Sequence, residues 1–192
     1  RSEQRLGAAR GHDNVVFALI WHQVVAGLLL SGRIHAGRQG IAGELAQLRR
    51  LEGDEIPAEW ADVPLFREVL ARAAGGDDDA RRSVAEFAAR AGNQIASLVL
   101  TVDPDVVVLG GPLSDDKDLV AQVIESVHAS FAVPVDVEIV TSQLRTDGPL
   151  LGVLLDVLDE ATRALLGEPL PDPLDLGQLA ESVGAPIALR EL

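Results

Sequence analysis

The chain has 192 residues, of which 47% are hydrophobic and only 3% aromatic, and it carries a formal net charge of −14. That length suffices for one substantial core or one large lobe with an appendage, and the few rings predict a core of Val, Leu, Ile and Ala typical of α/β proteins. The negative charge argues against binding to nucleic-acid phosphates by these residues. The lack of cysteine excludes disulfides and thiolate metal sites. No apolar run is long enough to span a bilayer and no secretory signal opens the chain, so we expect a cytoplasmic protein without membrane contact.

The first half of the chain predicts a group of tightly joined strands followed by a loop. Residues 1–11 read as the end of a helix turning at Gly7 or Gly11, which favours a chain that begins inside a larger protein. Short apolar runs then predict strands over residues 14–21, 24–30 and 33–36. Three glycines in residues 37–43 predict a loop, and the prolines of residues 52–64 predict a surface excursion.

The second half alternates between helix and strand patterns. The predicted elements are helices over residues 65–74, 84–102, 119–131 and 150–166, and strands over residues 105–109 and 135–140. Asp77, Asp78 and Asp79 favour the start of the second helix, and Thr146 or Asp147 is the candidate cap of the last one, with Pro149 in its first turn. This order predicts an α/β sheet with crossover connections.

Three segments together resemble the ROK family of repressors and sugar kinases. They are Leu6-Gly7-Ala8-Ala9-Arg10-Gly11 with the strand after it, Ala42-Gly43-Glu44, and Asp103-Pro104-Asp105-Val106-Val107-Val108-Leu109-Gly110-Gly111. The resemblance implies an actin-like ATPase (ribonuclease H-like) fold, with residues 1–166 as the second lobe and its flanking helices, and residues 167–192 as a carboxyl-terminal tail.

The family's glycine-rich phosphate loop corresponds here to residues 21–27. Trp21, Gln23 and Val25 stand where the family has glycine, and Gly27 is the one expected glycine that remains. Phosphates approach such loops because no side chain shields the backbone N–H groups. We therefore expect no ATP binding, and Gly27, Gly110 and Gly111 are treated as a vestigial nucleotide site. For Gly110-Gly111 the favoured interpretation is a tight strand-to-helix turn.

The family's sugar and zinc motif begins at Gly43-Glu44 and then departs from the pattern. Ala46 and Gln47 replace a glycine and a histidine, and the cysteines that follow in the family are missing. The resemblance therefore implies no zinc. Glu44 is the candidate ligand-binding residue, because a carboxylate accepts hydrogen bonds from sugar hydroxyls, and Gln47 is a second candidate; a solvent-facing role is the alternative for each.

The resemblance places the catalytic aspartate of the kinases before Arg1, so no catalytic residue is assigned in this chain. Asp13-Asn14 imitates the family's pair, but a turn is the ordinary interpretation. His22 beside Trp21 could line a pocket, although a buried, hydrogen-bonded histidine is commoner. The apolar face of residues 84–102 is predicted to be core and could extend into an interface, because the resemblance implies a homodimer.

The resulting hypothesis is the effector-binding and dimerisation part of a sugar-responsive ROK-type transcriptional regulator. Its ligand would be a sugar or sugar derivative, and DNA would bind only through a helix-turn-helix region absent from this chain. The alternative is an ATP-dependent, glucokinase-like sugar kinase of the same family. A third possibility is a scaffold that only dimerises.

Overall fold

The computed structural model describes residues 1–45, 56–144 and 147–167. The elements in these ranges are α1 (Ser2–Leu6), β1 (Val15–Ile20), β2 (Val24–Leu30), β3 (Arg33–Ile34), a 3₁₀ turn (Ala58–Trp60), α2 (Val63–Ala74), α3 (Asp78–Val102), β4 (Val106–Gly110), α4 (Lys117–Ala129), β5 (Glu138–Thr141) and α5 (Gly148–Leu166). Gln47, Thr146 and the tail after Gly167 lie outside the described residues.

The strands form one mixed sheet in the order β3-β2-β1-β4-β5. β1 pairs in parallel with β4, and β4 pairs in parallel with β5. β1, β2 and β3 form an antiparallel meander on the other side. Helices join the parallel strands, because parallel neighbours need a crossover. The predicted α/β class and the actin-like fold are confirmed.

One side of the sheet, here called the α3 face, is sealed by α2, α3 and α4. Alternate strand residues point to this side, and Val16, Ala18 and Ile20 of β1 belong to its buried core. The predicted apolar face of α3 packs there, with Val84, Phe87, Ala88, Ala91, Ile95 and Val99 all buried. That helix face is therefore core, and the suggestion that it extends into an interface is not supported.

The segment predicted as a surface excursion is partly core, because Trp60 is buried. Its ring lies edge-on to Phe87 at 5.4 Å between centroids, and its Nε1–H donates a 2.9 Å hydrogen bond to the Ser83 hydroxyl. This satisfied polar atom permits burial. Because prolines and charged residues surround Trp60, the composition of the segment did not predict its burial.

The opposite side of the sheet, here called the α5 face, is covered by α1 and α5. Val15 and Leu29 lie in a smaller apolar cluster there, and Phe17 packs against it. The contact between the two helices contains a buried ion pair, with Arg5 Nη1 2.9 Å from Asp159 Oδ1. Burial alone would raise the pKa of Asp159, but hydrogen bonds from Arg1 and Arg5 outweigh it, so that pKa lies below its ordinary value.

Beside the covering helices, the α5 face leaves a groove with a volume of about 330 Å³. Its floor includes Phe17, Gly27 and Leu29, and its walls include Ile34 and Val153. Among the described residues, no helix is both long and apolar enough to cross a membrane.

Candidate functional site

The candidate site lies at the edge of the sheet where the parallel strands end. Ligands of open α/β sheets bind outside the carboxyl ends of the strands. Here β1 ends at Ile20, β4 at Gly110 and β5 at Thr141. The β1–β2 hairpin turns at this same edge, so the structure brings the predicted phosphate-loop segment and the diglycine together.

The tip of the hairpin is a closed turn that carries two rings. The backbone N–H of Trp21 donates a 3.0 Å hydrogen bond to the carbonyl of Gln23. The Trp21 side chain is 45% exposed, and its ring stands edge-on to His22 at 5.5 Å. One backbone donor of the tip is thus already used, and side chains stand where the resemblance expects open backbone.

His22 is the second ring-bearing residue of this tip and is half-buried. Its Nδ1 is buried and has no hydrogen-bond partner among the described residues. The favoured hydrogen-bonded interpretation is therefore not supported at this atom. A histidine beside a tryptophan in a hairpin turn was the signal in the sequence, but spacing alone does not give the partner of a ring nitrogen.

The diglycine packs tightly against β1. Gly111 has a φ of +99°, and a β-carbon there would lie 2.7 Å from the Ile20 carbonyl oxygen. At Gly110 a β-carbon would lie 2.5 Å from the Phe17 ring. Leu113 N–H also bonds to the Ile20 carbonyl at 3.4 Å. These contacts give both glycines a packing role, and their nucleotide role stays a prediction.

Gly27 lies apart from the diglycine, with Phe17 between them. It is an exposed residue of β2 and pairs with Phe17 in the ladder. The nearest atom to a β-carbon there would be the Phe17 Cβ, at 3.9 Å. Phe17, which sequence reasoning missed, therefore separates the two parts of the vestigial site.

Glu44 is positioned by the glycine that precedes it. Gly43 has a φ of +88°, and a β-carbon there would lie 1.8 Å from the Ala26 carbonyl oxygen. The Gly43 carbonyl accepts a 2.8 Å hydrogen bond from the Ala26 N–H, which fixes the loop beside β2. Glu44 is exposed, and no described residue donates a hydrogen bond to its carboxylate. Within residues 1–45 and the other described ranges the loop thus presents an unpaired acceptor, and Gln47 lies outside those ranges.

Asp13 and Asn14 are structural groups at the opposite edge of the sheet. Both backbone N–H groups donate to Asp105 Oδ2, at 3.1 and 2.8 Å. The Asn14 Oδ1 accepts a 3.0 Å hydrogen bond from the Ser31 N–H. These bonds tie the start of β1 to β4 and to the β2–β3 turn, which supports the turn interpretation.

No group of three His, Cys, Asp or Glu side chains in the described ranges could hold a metal ion. Residues 46–55, which would carry the rest of the family's zinc motif, lie outside the described residues, so the absence of zinc stays a prediction.

Comparisons with known proteins connect this chain to one family. The chain is 31% identical over 166 residues to the bifunctional enzyme NanE/NanK of Brucella suis, an alignment that covers 79% of this chain and 31% of that protein. It thus spans about a third of the length of that relative.

Solved structures include both kinases and a regulator. The ROK hexokinase from Thermus thermophilus superposes with a TM-score of 0.70 at 26% identity, covering 81% of this chain and 62% of that one. A ROK family transcriptional regulator, a homolog of the E. coli MLC protein, superposes with a TM-score of 0.60 at 23% identity, covering 79% and 47%. Because this chain is only 23% identical to the regulator, their superposition shows a shared fold and nothing more.

The ROK family profile matches residues 59–160, just over half of the chain. This match lies entirely after the hairpin and the Glu44 loop, so it is independent of the degraded motifs. The chain belongs to the ROK family.

Proposed function

We propose that this chain is the effector-binding lobe of a ROK-type, sugar-responsive transcriptional regulator that does not use ATP. The single observation that carries the proposal is the hairpin tip. Its turn is closed by the Trp21–Gln23 backbone bond, and it presents Trp21 and His22 side chains. Phosphate loops need clustered free N–H groups without side chains in the way. At residues 21–23 the Trp21 N–H is already bonded, and side chains stand where a phosphate loop would have glycine.

The Glu44 loop supplies the proposed contact with the sugar. Its backbone is docked on β2 through Gly43, so the carboxylate projects from a fixed loop. A carboxylate can accept two hydroxyl hydrogen bonds, and it needs no metal to do so. Gln47 would add an amide partner. Zinc and ATP have no part in the proposed site.

The proposed mechanism is a shift between two arrangements of the whole protein. A sugar held between this lobe and another one would favour a single relative orientation by its differential affinity. A dimer would pass the change to DNA-binding modules outside this chain. The acidic charge of −14 supports that division, because these residues would repel DNA phosphates.

A sugar kinase is the second candidate, since NanE/NanK and the Thermus hexokinase bear the names of enzymes or kinases. It predicts nucleotide affinity in this lobe. The argument against a kinase is that side chains occupy the hairpin tip, where a nucleotide phosphate would have to approach the backbone.

Isothermal titration calorimetry of the 192-residue chain with Mg²⁺-ATP separates the two candidates. We expect no saturable heat up to millimolar nucleotide. The matched variant is Trp21→Gly, Gln23→Gly and Val25→Gly combined, which restores the family's glycines, and circular dichroism checks its fold. Saturable ATP binding by the unaltered chain contradicts the regulator proposal.

A second titration tests the sugar contact with glucose and N-acetylglucosamine as probes. We expect Glu44→Gln to weaken any measured sugar affinity by about tenfold, as for one charged hydrogen bond. Glu86→Gln, an exposed site on α3, is the control and should leave it unchanged. Equal affinities for the Glu44 variant and the unaltered chain would remove Glu44 from the site.

A further inference from the structure

One aromatic ring of this chain lies at the surface while the others are covered. The chain has four phenylalanines, two tryptophans and no tyrosine, and all six rings belong to the described residues. Trp60 is 2% exposed and the phenylalanines are buried or half-buried, whereas Trp21 is 45% exposed. Trp21 also stands at the edge of the sheet outside which open α/β folds bind their ligands. A large apolar surface is therefore presented where a ligand is expected.

The hairpin tip holds the Trp21 ring in a defined position. The bond from its backbone N–H to the Gln23 carbonyl closes the turn. The Trp21 and His22 rings pack at 5.5 Å between centroids with an interplanar angle of 79°. A side chain that is ordered in advance loses less conformational freedom when a ligand binds. The tip thus offers a pre-ordered ring of which nearly half remains exposed.

The Glu44 loop lies beside the same hairpin. The Ala26 N–H bonds to the Gly43 carbonyl at 2.8 Å, and Ala26 follows three residues after Gln23, the residue opposite Trp21. Three residues of strand rise about 10 Å. Glu44 comes directly after Gly43 and is exposed, as Trp21 is. The two side chains together with one bound monosaccharide can bridge such a distance.

We propose that Trp21 is a stacking platform for an uncharged pyranose sugar whose hydroxyls bind Glu44 at the same time. The inference rests on the proposed function and deepens it, because it names a second contact and a class of sugar. A pyranose with equatorial hydroxyls carries only C–H groups on its ring faces. One such face packs on the indole, while the hydroxyls around the rim stay free for hydrogen bonds. The ring that stands in the phosphate loop thereby becomes a binding surface.

His22 adds hydrogen-bonding capacity that the described residues do not use. Its buried Nδ1 has no hydrogen-bond partner among them. Such a buried polar atom is uncommon in a folded protein and calls for an explanation. Rotation of the imidazole about its side-chain bonds would let a sugar hydroxyl reach this nitrogen. An aromatic surface with a few converging polar groups is the usual composition of a small-molecule site.

Charge favours an uncharged sugar over a sugar phosphate or a nucleotide. Residues 21–23 carry no permanent positive charge, Glu44 is a carboxylate, and the whole chain has a net charge of −14. A phosphate group would bring further negative charge to this acidic surface. Arg67, a cation at this edge, already bonds to the Pro112 carbonyl and to Asp115. A sugar without phosphate avoids the repulsion.

Tryptophan fluorescence of the full 192-residue chain tests the platform, with glucose and N-acetylglucosamine as probes. We expect a saturable change in emission below about 50 mM sugar, as for a weak complex. Trp60 is buried and hydrogen-bonded to Ser83, so its emission should not respond. Trp21→Phe, which leaves Trp60 as the one fluorophore, should therefore show no change in emission while it still binds the sugar.

A ¹⁵N–¹H NMR titration read at the Glu44 amide measures the affinity of each variant. Trp21→Ala should weaken sugar binding at least about tenfold, as truncation of a tryptophan at a binding site does. Trp21→Phe keeps an aromatic surface and should stay within about threefold of the unaltered chain. The matched control Leu100→Ala alters a leucine of 66% exposure on α3 and should leave the affinity unchanged. Circular dichroism confirms that each variant is folded.

The outcomes separate the platform from the rest of the proposed function. A sugar affinity that falls in Glu44→Gln but is unchanged in Trp21→Ala overturns the platform and leaves the Glu44 contact standing. Tighter binding of glucose 6-phosphate than of glucose overturns the uncharged class of ligand. Binding of neither probe by the unaltered chain overturns the platform together with the Glu44 contact.

Discussion

The two faces of the sheet are built on different principles. On the α3 face, three helices and alternate residues of four strands make a dry core in which Phe66, Phe87 and Trp60 form an aromatic centre. On the α5 face, α1 and α5 leave a groove, and the contact between them is centred on the Arg5–Asp159 pair. The α3 face is complete by itself, whereas the α5 face presents apolar surface outward.

This difference shows that burial within the chain does not follow from hydrophobicity alone. Leu155 of α5 is 5% exposed and Leu158, three residues later, is 50% exposed. Both are leucines on one helix, but Leu155 packs with Leu6 of α1 and with Leu144, whereas Leu158 does not. Leu158 belongs to a set of apolar residues of α5 that no described residue covers.

The largest expected effect breaks the α3 face. Phe87→Ala removes a ring packed between Trp60 and Phe66, and we expect a loss of about 4 kcal/mol in the free energy of unfolding. Urea denaturation followed by circular dichroism measures it. The control Leu100→Ala, on the exposed side of α3, should cost less than about 0.5 kcal/mol. Similar losses for both variants would contradict a core centred on Phe87.

The next effect breaks the ion pair of the α5 face. Asp159→Asn leaves the Arg5 guanidinium buried without its carboxylate, at a cost of about 3 kcal/mol at pH 7. Replacing both residues by leucine should recover much of that loss, because the buried Arg5 and Asp159 charges are removed together while Arg1 keeps its ion pair with Asp156. If the double variant is less stable than the single one, the pair contributes net stability that this account does not assign to it.

The pH dependence of the free energy of unfolding tests the same ion pair. The pKa of Asp159 is lowered in the folded chain, so its stabilisation is fully present above the unfolded value near 4 and is lost as pH falls through the folded value. The difference in stability between the unaltered chain and Asp159→Asn should therefore shrink below about pH 4. Urea denaturation at pH 7, 5, 4 and 3 measures it, and a constant difference across that series would contradict the lowered pKa.

A smaller effect compares the two leucines of α5 in dilute protein. Leu155→Ala should cost about 2 kcal/mol, at the low end for a buried leucine because its cluster is small. Leu158→Ala should change stability by less than about 0.5 kcal/mol. Thermal unfolding at about 1 μM measures both. Equal losses would contradict the difference in burial between the two leucines.

The sequence predicted a helix or strand well where one of its faces is buried and the other is exposed. The strand predicted over residues 24–30 matches β2 (Val24–Leu30), and the long helix follows the spacing of Val84 to Val99. β5 is shorter than the strand predicted over residues 135–140, because its pairing with β4 begins only at Glu138. Trp60 was predicted to lie in a surface excursion because its neighbours in the sequence are charged.

The candidate site was predicted in part. The residues of the hairpin tip and the diglycine follow from the resemblance, and the sheet places them at one edge. The position of Phe17 between the glycines and the docking of Gly43 on Ala26 depend on contacts between segments that are distant in sequence. The helix over residues 150–166 was predicted, but no pattern within a helix states which of its faces is buried.

The most direct test of the central claim, that this ROK lobe lacks a nucleotide site, is a ¹⁵N–¹H NMR titration with Mg²⁺-ATP. Backbone amides of residues 21–23 and 110–111, and the indole N–H of Trp21, report on the carboxyl edge of the sheet. The account predicts that their shifts stay unchanged up to millimolar ATP while those of residues around Glu44 respond to a bound sugar. Saturable shifts at the hairpin tip and diglycine on adding ATP would contradict it.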